Sequence, residues 1–162
     1  TDIPQIVYGV NLGITWKQFD LSLLFQGQAK VINTIQETWV DPSSGGAGNL
    51  MQWWTEDMWT PENTDGTKPR LGTPNKINGT TFTNINAAFF KLKNAEIGYT
   101  LPVAVREKIG VANARVYLSG TNLFSFDHMR GMGIDPEATG SGYGGWALNP
   151  QRLINLGVNV SF

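Results

Sequence analysis

The sequence predicts an all-β protein and favours a segment of an antiparallel transmembrane β-barrel, for three reasons. Apolar and polar residues alternate over about nine to thirteen residues in each predicted strand, whereas five or six is the commonest strand length. The polar positions of these strands are rich in glycine and poor in charge, which suits a water-filled interior. Aromatic residues lie near the strand ends, as in the girdles of membrane barrels: Tyr8, Trp16, Phe19, Tyr99, Phe124 and Phe162.

Composition restricts the class of protein without choosing between two architectures. The net charge of −1 and the sequence pI near 5.7 argue against a nucleic-acid-binding protein, which normally carries a basic face. Charged residues make up 15% of the chain, below the roughly 25% of typical soluble domains. No apolar run approaches the roughly 20 residues of a transmembrane helix. A soluble β-sandwich remains an equal alternative on composition alone.

Five strands account for the alternation. The first two are joined by the short turn Lys17–Gln18, which makes a hairpin. In the third strand the apolar positions change parity once near Lys93–Asn94, which indicates a β-bulge. The segment "PVAVREKIGVAN" before the fourth strand predicts a turn with one helical turn. The predicted strands are 6–16, 19–30, 89–101, 114–126 and 153–162.

The connections between these strands alternate short, long, short, long. Membrane barrels have short periplasmic turns and long extracellular loops. Segments 31–86 and 127–150 are therefore predicted to be extracellular loops, with the C-terminus in the periplasm. Five strands cannot close a pore, and an open sheet edge in hydrocarbon leaves unpaired backbone groups that cost several kcal/mol each. We therefore expect further strands N-terminal to Thr1, on this polypeptide or a separate one.

Several motifs resemble the SusC/RagA family of TonB-dependent outer-membrane transporters. They occur in the family's order from about Ile3 to Phe162, and only the Y-P that usually precedes the last strand is replaced, by "GGWALNPQ". Each motif alone is weak, but five in sequence are specific. The matching stretches are "YGVNLGITWKQFDLSLLFQG", "WTPENTDGTKPRL", "FFKLKNAEIGYTLP", "ARVYLSGTNLFSF" and "GIDPE".

The resemblance implies the fold and the function of the whole protein. The chain would be the last five strands of a 22-stranded barrel with a plugged lumen. That barrel would lie in the outer membrane of a Bacteroidetes-type bacterium and import glycans or peptides. Its partners would be a SusD-like surface lipoprotein, TonB acting through a plug that this chain lacks, the barrel assembly machinery and outer-membrane lipid.

The last strand, "NLGVNVSF", resembles the C-terminal signal that outer-membrane proteins present to the barrel assembly machinery. The pattern over residues 155–162 rests on Asn155, Gly157, Val160 and Phe162. A free strand edge can add to another sheet through main-chain hydrogen bonds. The alternative is an ordinary edge strand, which would be an aggregation hazard in a soluble protein.

Two groups of residues are candidates for contact with the transported molecule. Aromatic loop residues could stack on sugar rings, or could instead pack the loop or contact the lipoprotein; they are Trp53, Trp54, Trp59 and Trp146. Arg70 could bind a carboxylate of the substrate or plug, or could pair within its loop. The polar positions of the second strand are candidates for the lumen wall: Asp20, Gln26, Gln28 and Lys30.

Nothing in the sequence predicts catalysis, a cofactor or a metal site. His128 is the one histidine and there is no cysteine, so a zinc site is not expected. The pairs Glu56/Asp57 and Asp135/Glu137 could serve a hydrolase or hold calcium, although solvated loop charges are the simpler interpretation. Two other functions remain open, namely a soluble glycan-binding sandwich that uses the Trp-rich loop and a structural barrel without energised transport.

Overall fold

The computed structural model describes residues 1–35, 51–70, 80–137 and 149–162. The chain forms two compact units. We call the first the loop unit, which comprises Thr1–Gln5, Lys30–Ala88 and Asp127–Asn149. The second is the sheet unit, which comprises Ile6–Ala29, Phe89–Phe126 and Pro150–Phe162.

Five of the strands in the described ranges form one antiparallel sheet, and their spatial order in the sheet is their order along the chain. Each observed bound differs from its predicted one by no more than one residue. No helix in the described part of the chain is long and apolar enough to cross a membrane. The strands are β1 (Ile6–Trp16), β2 (Phe19–Ala29), β5 (Phe89–Thr100), β6 (Asn113–Asp127) and β7 (Leu153–Ser161).

The β1–β2 hairpin sets the two faces of the sheet. The turn is made by Lys17 and Gln18, with Lys17 in the left-handed region at φ 54°. Directly paired residues lie on the same face of a sheet, so the pairs Leu12↔Leu23 and Thr15↔Asp20 belong to opposite faces. We call the side of Leu12 the apolar face and the side of Asp20 the polar face. The end of the sheet that carries this turn is called the turn end.

The predicted bulge in β5 is confirmed. Leu24 pairs with Asn94 and Phe25 pairs with Leu92, so Lys93 is the extra residue. The bulge explains the change of parity in the sequence, because Leu92 before it and Ala95 after it both lie on the apolar face.

The connection between β5 and β6 is more helical than predicted. Helix α2 (Val103–Ile109) follows Pro102 and ends at Gly110, which takes a left-handed φ of 72°. The amide of Gly110 donates to the carbonyl of Glu107, and the amide of Val111 donates to that of Arg106, which closes the helix end. This helix lies at the turn end, since the amide of Thr100 donates to the carbonyl of Gln18.

The loop unit has its own short elements and small cores. Strands β3 (Ile32–Thr34) and β4 (Asn84–Asn86) form a two-stranded ladder, and α1 (Gln52–Thr55) is a single helical turn. Strands of three residues carry no detectable alternation, which is why the sequence did not predict them. Two hydrophobic clusters form the cores, one around Ile35 and Trp54 and the other around Val31, Ala87 and Met129.

Candidate functional site

The apolar face is a continuous surface of exposed hydrophobic side chains. Leu12 is 47% exposed, Val158 60% and Leu156 75%, values that would be unusual for a core-facing sheet surface. Val158 pairs with Val116, and Leu156 pairs with Leu118, so the face extends from β1 across to β7. A sheet that exposes this face to hydrocarbon would lose no hydrogen bonds and would bury apolar surface.

Aromatic rings border this face at the turn end. The rings of Phe19 and Tyr99 lie 4.8 Å apart, and Trp16 is paired directly with Phe19. Phe162 follows Ser161, which pairs with Asn113 at the same end, and Phe162 is 96% exposed. We call these residues the turn belt.

A second group of rings borders the apolar face at its opposite end. The Phe90 ring stacks on Phe25 at 5.4 Å and on Tyr8 at 6.3 Å, and Phe124 lies 6.5 Å from Phe25. The strand from Tyr8 to Trp16 is about 27 Å long at 3.4 Å per residue, which at the ~35–45° tilt of barrel strands spans roughly 19–22 Å of the roughly 25 Å apolar band. Two aromatic belts separated by aliphatic residues are therefore present on one face.

The polar face carries an ion-pair cluster that joins three strands. The Arg115 guanidinium on β6 donates through Nε to Asp20 Oδ1 on β2 at 3.0 Å, and its Nη2 contacts Asp20 Oδ2. The same Nη2 donates to Glu96 Oε1 on β5 at 2.7 Å. Planar guanidinium groups suit such multiple contacts with carboxylates. The cluster spans β2, β5 and β6 and carries a formal charge of about −1 when all three groups are ionised.

Gly98 on β5 leaves the room that allows the Arg115 side chain to contact Asp20 across that strand. It pairs with Asp20, on the strand between the arginine and the aspartate. A Cβ added to Gly98 would lie 2.2 Å from Arg115 Nη2, so any side chain there would occupy the volume of the guanidinium. Glycine in a strand interior often marks such a close approach.

Two tyrosines use glycines of neighbouring strands in the same way. A Cβ on Gly27 would lie 2.3 Å from the Tyr8 ring, and the Tyr8 hydroxyl donates to the Phe89 carbonyl at 3.3 Å. A Cβ on Gly157 would lie 2.2 Å from the Tyr117 ring. Each aromatic ring covers the backbone that its paired glycine would otherwise leave bare.

The structure places three of the four predicted lumen residues on the polar face. Asp20 belongs to the ion-pair cluster, and Gln26 and Gln28 have the same parity along β2. Lys30 lies beyond the end of β2, with φ 53°, and belongs to the loop unit. The pairing of β2 therefore does not assign Lys30 to either face, and its place in the lumen wall stays a prediction.

The three tryptophans of "MQWWTEDMW" have different environments. Trp54 is 4% exposed and packs against Ile35, so it forms part of a core. Trp53 is half-buried, and its ring meets that of Trp54 edge-on at 5.6 Å. Trp59 is 41% exposed, and its ring is available at the surface of the described loop.

The segment that presents Trp59 is held by polar contacts. Asp57 accepts hydrogen bonds from the Thr67 hydroxyl and from the Thr67 amide at 3.2 Å, and its carbonyl accepts from the Lys68 amide at 2.9 Å. The Thr67 hydroxyl and amide, with a smaller contribution from Lys68, hold the pKa of the Asp57 carboxyl below its ordinary value. We call residues 57–68 the Trp59 loop, and its ends are tied together at Asp57.

The remaining carboxylates named by the sequence lie in local contacts. Glu56 Oε1 accepts from the Gln52 amide group at 2.7 Å, and Asp135 Oδ1 accepts from the Glu137 amide at 2.8 Å. No group of three metal-binding side chains occurs within the ranges that the structure describes.

The other predicted contact and assembly residues lie as follows. Arg70 is exposed, and Trp146 lies outside the described residues. In β7, Asn155 and Gly157 lie on the polar face and Val160 on the apolar face, as shown by their partners Ser119, Tyr117 and Ala114.

Sequence reasoning did not select Glu96 and Arg115 as site residues. Both positions lie on polar faces of predicted strands, as does Asp20, and their charges are complementary. Their meeting depends on the register of β2 against β5 and on the room above Gly98. Charged residues of opposite sign near the same end of neighbouring strands were the available signal.

Known proteins resemble the chain along nearly its whole length. It is 30% identical over 99% of its length to the TonB-dependent receptor P26 of Formosa agariphila and 29% identical over 98% to the TonB-dependent receptor P3 of that organism. The chain spans 17% and 16% of these two relatives. No model of a protein family matches the sequence.

Solved structures agree with these relatives. The open-open state of the RagAB peptide importer superposes with a TM-score of 0.77 at 27% identity, and the closed-closed state with 0.76 at 26%. All of this chain is covered in both cases, against 18% of the solved chain. The predicted resemblance to SusC/RagA-like TonB-dependent receptors is thus confirmed, in sequence and in three dimensions, over nearly the whole of this chain.

Proposed function

We propose that the protein containing this chain imports peptides or glycans across the bacterial outer membrane. The observation that carries the proposal is the two-faced sheet, whose apolar face has an aromatic belt at each end and whose polar face carries ionised groups. A wall between lipid and water needs both surfaces on one sheet. The exposed apolar face with aromatic residues at both ends distinguishes this sheet from one of a soluble sandwich, whose apolar face packs against a second sheet. The likeness to TonB-dependent receptors and to a peptide importer supports energised uptake.

The orientation of the chain is part of this proposal. The turn end, with Lys17–Gln18 and α2, would face the periplasm, and segments 31–86 and 127–150 would be extracellular. Residues 155–162 would form the periplasmic end of the C-terminal barrel strand. Asn155, Gly157, Val160 and Phe162 would be read by the assembly machinery before that strand pairs with the rest of the barrel.

The loop segments would meet the substrate and a SusD-like lipoprotein. Trp59 is the best-supported candidate because it is exposed on a loop that is tied at its base, which lowers the entropy cost of binding. Trp53, Arg70 and Trp146 remain candidates, and Trp54 would support the loop from its core. On the polar face, Asp20, Gln26 and Gln28 would line the lumen beside the plug.

Uptake by whole cells tests the substrate and the energy source. The gene would be deleted in its own host and restored in the wild-type form, and uptake of labelled oligopeptides and oligosaccharides would be measured with and without TonB. We expect restored, TonB-dependent uptake of one of the two classes. Restored uptake that continues without TonB would instead support a passive barrel.

Substitution at Trp59 tests the loop assignment. Trp59→Ala should lower uptake or weaken capture of the lipoprotein while leaving the amount of receptor in the outer membrane unchanged. Thr64→Ala, in the same loop, is the control for a general disturbance of the segment. Equal uptake in the wild type and Trp59→Ala, with undiminished lipoprotein capture, would remove Trp59 from the binding surface.

A further inference from the structure

A pocket of about 180 Å³ interrupts the apolar face. Ala95 on β5 is the small residue that leaves the space, because the room above Gly120 on β6 is taken by the Leu123 side chain. Larger side chains surround the pocket, among them Leu21, Ile97, Leu118, Leu123 and Ile154. The volume is comparable to the roughly 150 Å³ apolar cavity that is known to accept benzene. The pocket can therefore take several carbon atoms of a ligand.

We propose that this pocket binds the acyl chain of a phospholipid. This inference rests on the proposed function, since it requires the apolar face to lie in hydrocarbon. An acyl chain is the ligand whose chemistry matches an apolar depression that opens onto such a face. Apolar side chains on one sheet face normally pack evenly, and the gap above Ala95 gives an acyl chain more contact than the surrounding surface does.

The position of the pocket indicates the leaflet. Leu21 and Ile97 form a cross-strand pair two residues from Phe19 and Tyr99 of the turn belt, a distance of about 7 Å along the strands. A phospholipid with its headgroup at the turn belt would thus place the upper part of its chain in the pocket. Under the proposed orientation, this is the periplasmic leaflet.

The ammonium group of a lysine lies at the turn belt, where the lipid headgroup would be. Lys17 in the hairpin turn is 4.9 Å from the centroid of the Trp16 ring, so its ammonium is held beside the turn belt. Lysine at this depth attracts anionic headgroups. An anionic phospholipid such as phosphatidylglycerol therefore has a charge contact at one end and an apolar pocket at the other.

Photolabelling tests the proposal on the intact receptor. The protein would be reconstituted in nanodiscs of phosphatidylethanolamine with a phosphatidylglycerol that carries a diazirine in its acyl chain, and labelled residues would be mapped by mass spectrometry. We expect labelling concentrated at the pocket residues. Ala95→Phe fills the pocket and should reduce labelling there to the level of the surrounding apolar face.

Val158→Phe is the matched control, because it adds the same ring to the same face away from the pocket and should leave pocket labelling intact. Ala95→Leu replaces Ala95→Phe should the larger side chain prevent assembly. Uniform labelling of the apolar face, or labelling of the pocket residues that persists in Ala95→Phe, would exclude acyl-chain binding in the pocket. Neither result would contradict the proposed membrane barrel. Labelling that avoids the apolar face altogether would overturn the proposed function as well.

Discussion

At the scale of single residues, Arg115 shows how a charged group is accommodated on a sheet. Its guanidinium lies above Gly98 on β5 and contacts two carboxylates, that of Glu96 on β5 itself and that of Asp20 on β2. Hydrogen bonds to ionised partners are stronger than neutral ones. The contact also couples strands that are not neighbours, because Asp20 lies on β2 and Arg115 on β6.

Gly98→Ala should destabilise the sheet by about 1 kcal/mol or less, because the added methyl group displaces only the end of the flexible Arg115 side chain and weakens its contacts with the carboxylates. The measurement is the midpoint of thermal unfolding in detergent, followed by heat-dependent mobility on a gel. Gly13→Ala is the control, since it lies on the same polar face and a Cβ there meets nothing within 4 Å. Matching midpoints for the two variants would contradict the role of Gly98.

The energy of the Arg115–Asp20 contact can be isolated with a double-mutant cycle. Arg115→Gln and Asp20→Asn should show a coupling on the order of 1 kcal/mol. We expect this coupling free energy to be small for a hydrogen bond between charged groups, because the two side chains are 20% and 31% exposed and solvent screens their charges. Purely additive effects of the two substitutions would show that the pair is energetically neutral.

The stability of the Trp59 loop should decrease at acid pH, because the Asp57 carboxylate becomes protonated. The folded pKa of this carboxyl is lowered by Thr67, so its stabilising contribution is complete above the ordinary value of 3.8 and is lost as the pH falls through the lower folded value. Hydrogen exchange at the Thr67 and Lys68 amides, corrected for intrinsic rates, should accelerate in that range. Asp57→Asn should abolish the acid dependence, and an unchanged profile in that variant would exclude Asp57 as its origin.

At the scale of elements, each strand has one side for hydrocarbon and one for water. Much of this was predictable, since alternation alone assigned the strands, their ends to within one residue, and the bulge in β5. The ion-pair cluster was not predictable, because its three members are separated by up to 95 positions in the sequence and meet only in the observed register. The short ladder of β3 and β4 was also beyond prediction, since it depends on tertiary contacts rather than on a repeating pattern.

Adjacent residues of β1 offer a direct test of the facing. Leu12→Arg places a cation at the middle of the apolar face and should cost roughly 2–4 kcal/mol. Asn11→Arg places the same side chain on the polar face and should cost much less. Unfolding of both variants in lipid vesicles by denaturant measures the difference, and similar losses for both would mean that the two faces are not exposed to different solvents.

At the scale of the whole molecule, the sheet ends in β1 on one side and β7 on the other. Each end strand has backbone groups on its outer edge that the partner strand within the chain cannot pair. These unpaired backbone groups and the exposed apolar face are both unfavourable for the chain alone in water.

The 162-residue chain produced by itself should therefore aggregate in water and should not give a folded monomer. Sedimentation and far-ultraviolet circular dichroism, with and without detergent micelles, measure this directly. Detergent should suppress sedimentation by covering the apolar face, although the end strands remain open to pairing. A monodisperse, folded monomer in buffer without detergent would contradict the facing of the sheet and would favour the soluble sandwich.

The extra residue in β5 has a consequence for comparing related barrels. Lys93 lies between two halves of a strand that each present their hydrophobic residues to the same side. Removal of one residue elsewhere in the strand would turn the part between the deletion and Lys93 inside out, whereas removal of Lys93 itself would only remove the bulge and leave both halves with their present faces. When such sequences are aligned, a single gap within this strand should therefore fall at Lys93, and gaps elsewhere in the strand should come in compensating pairs. An unpaired gap away from Lys93 would indicate either a misplaced alignment or a relative that has moved its bulge.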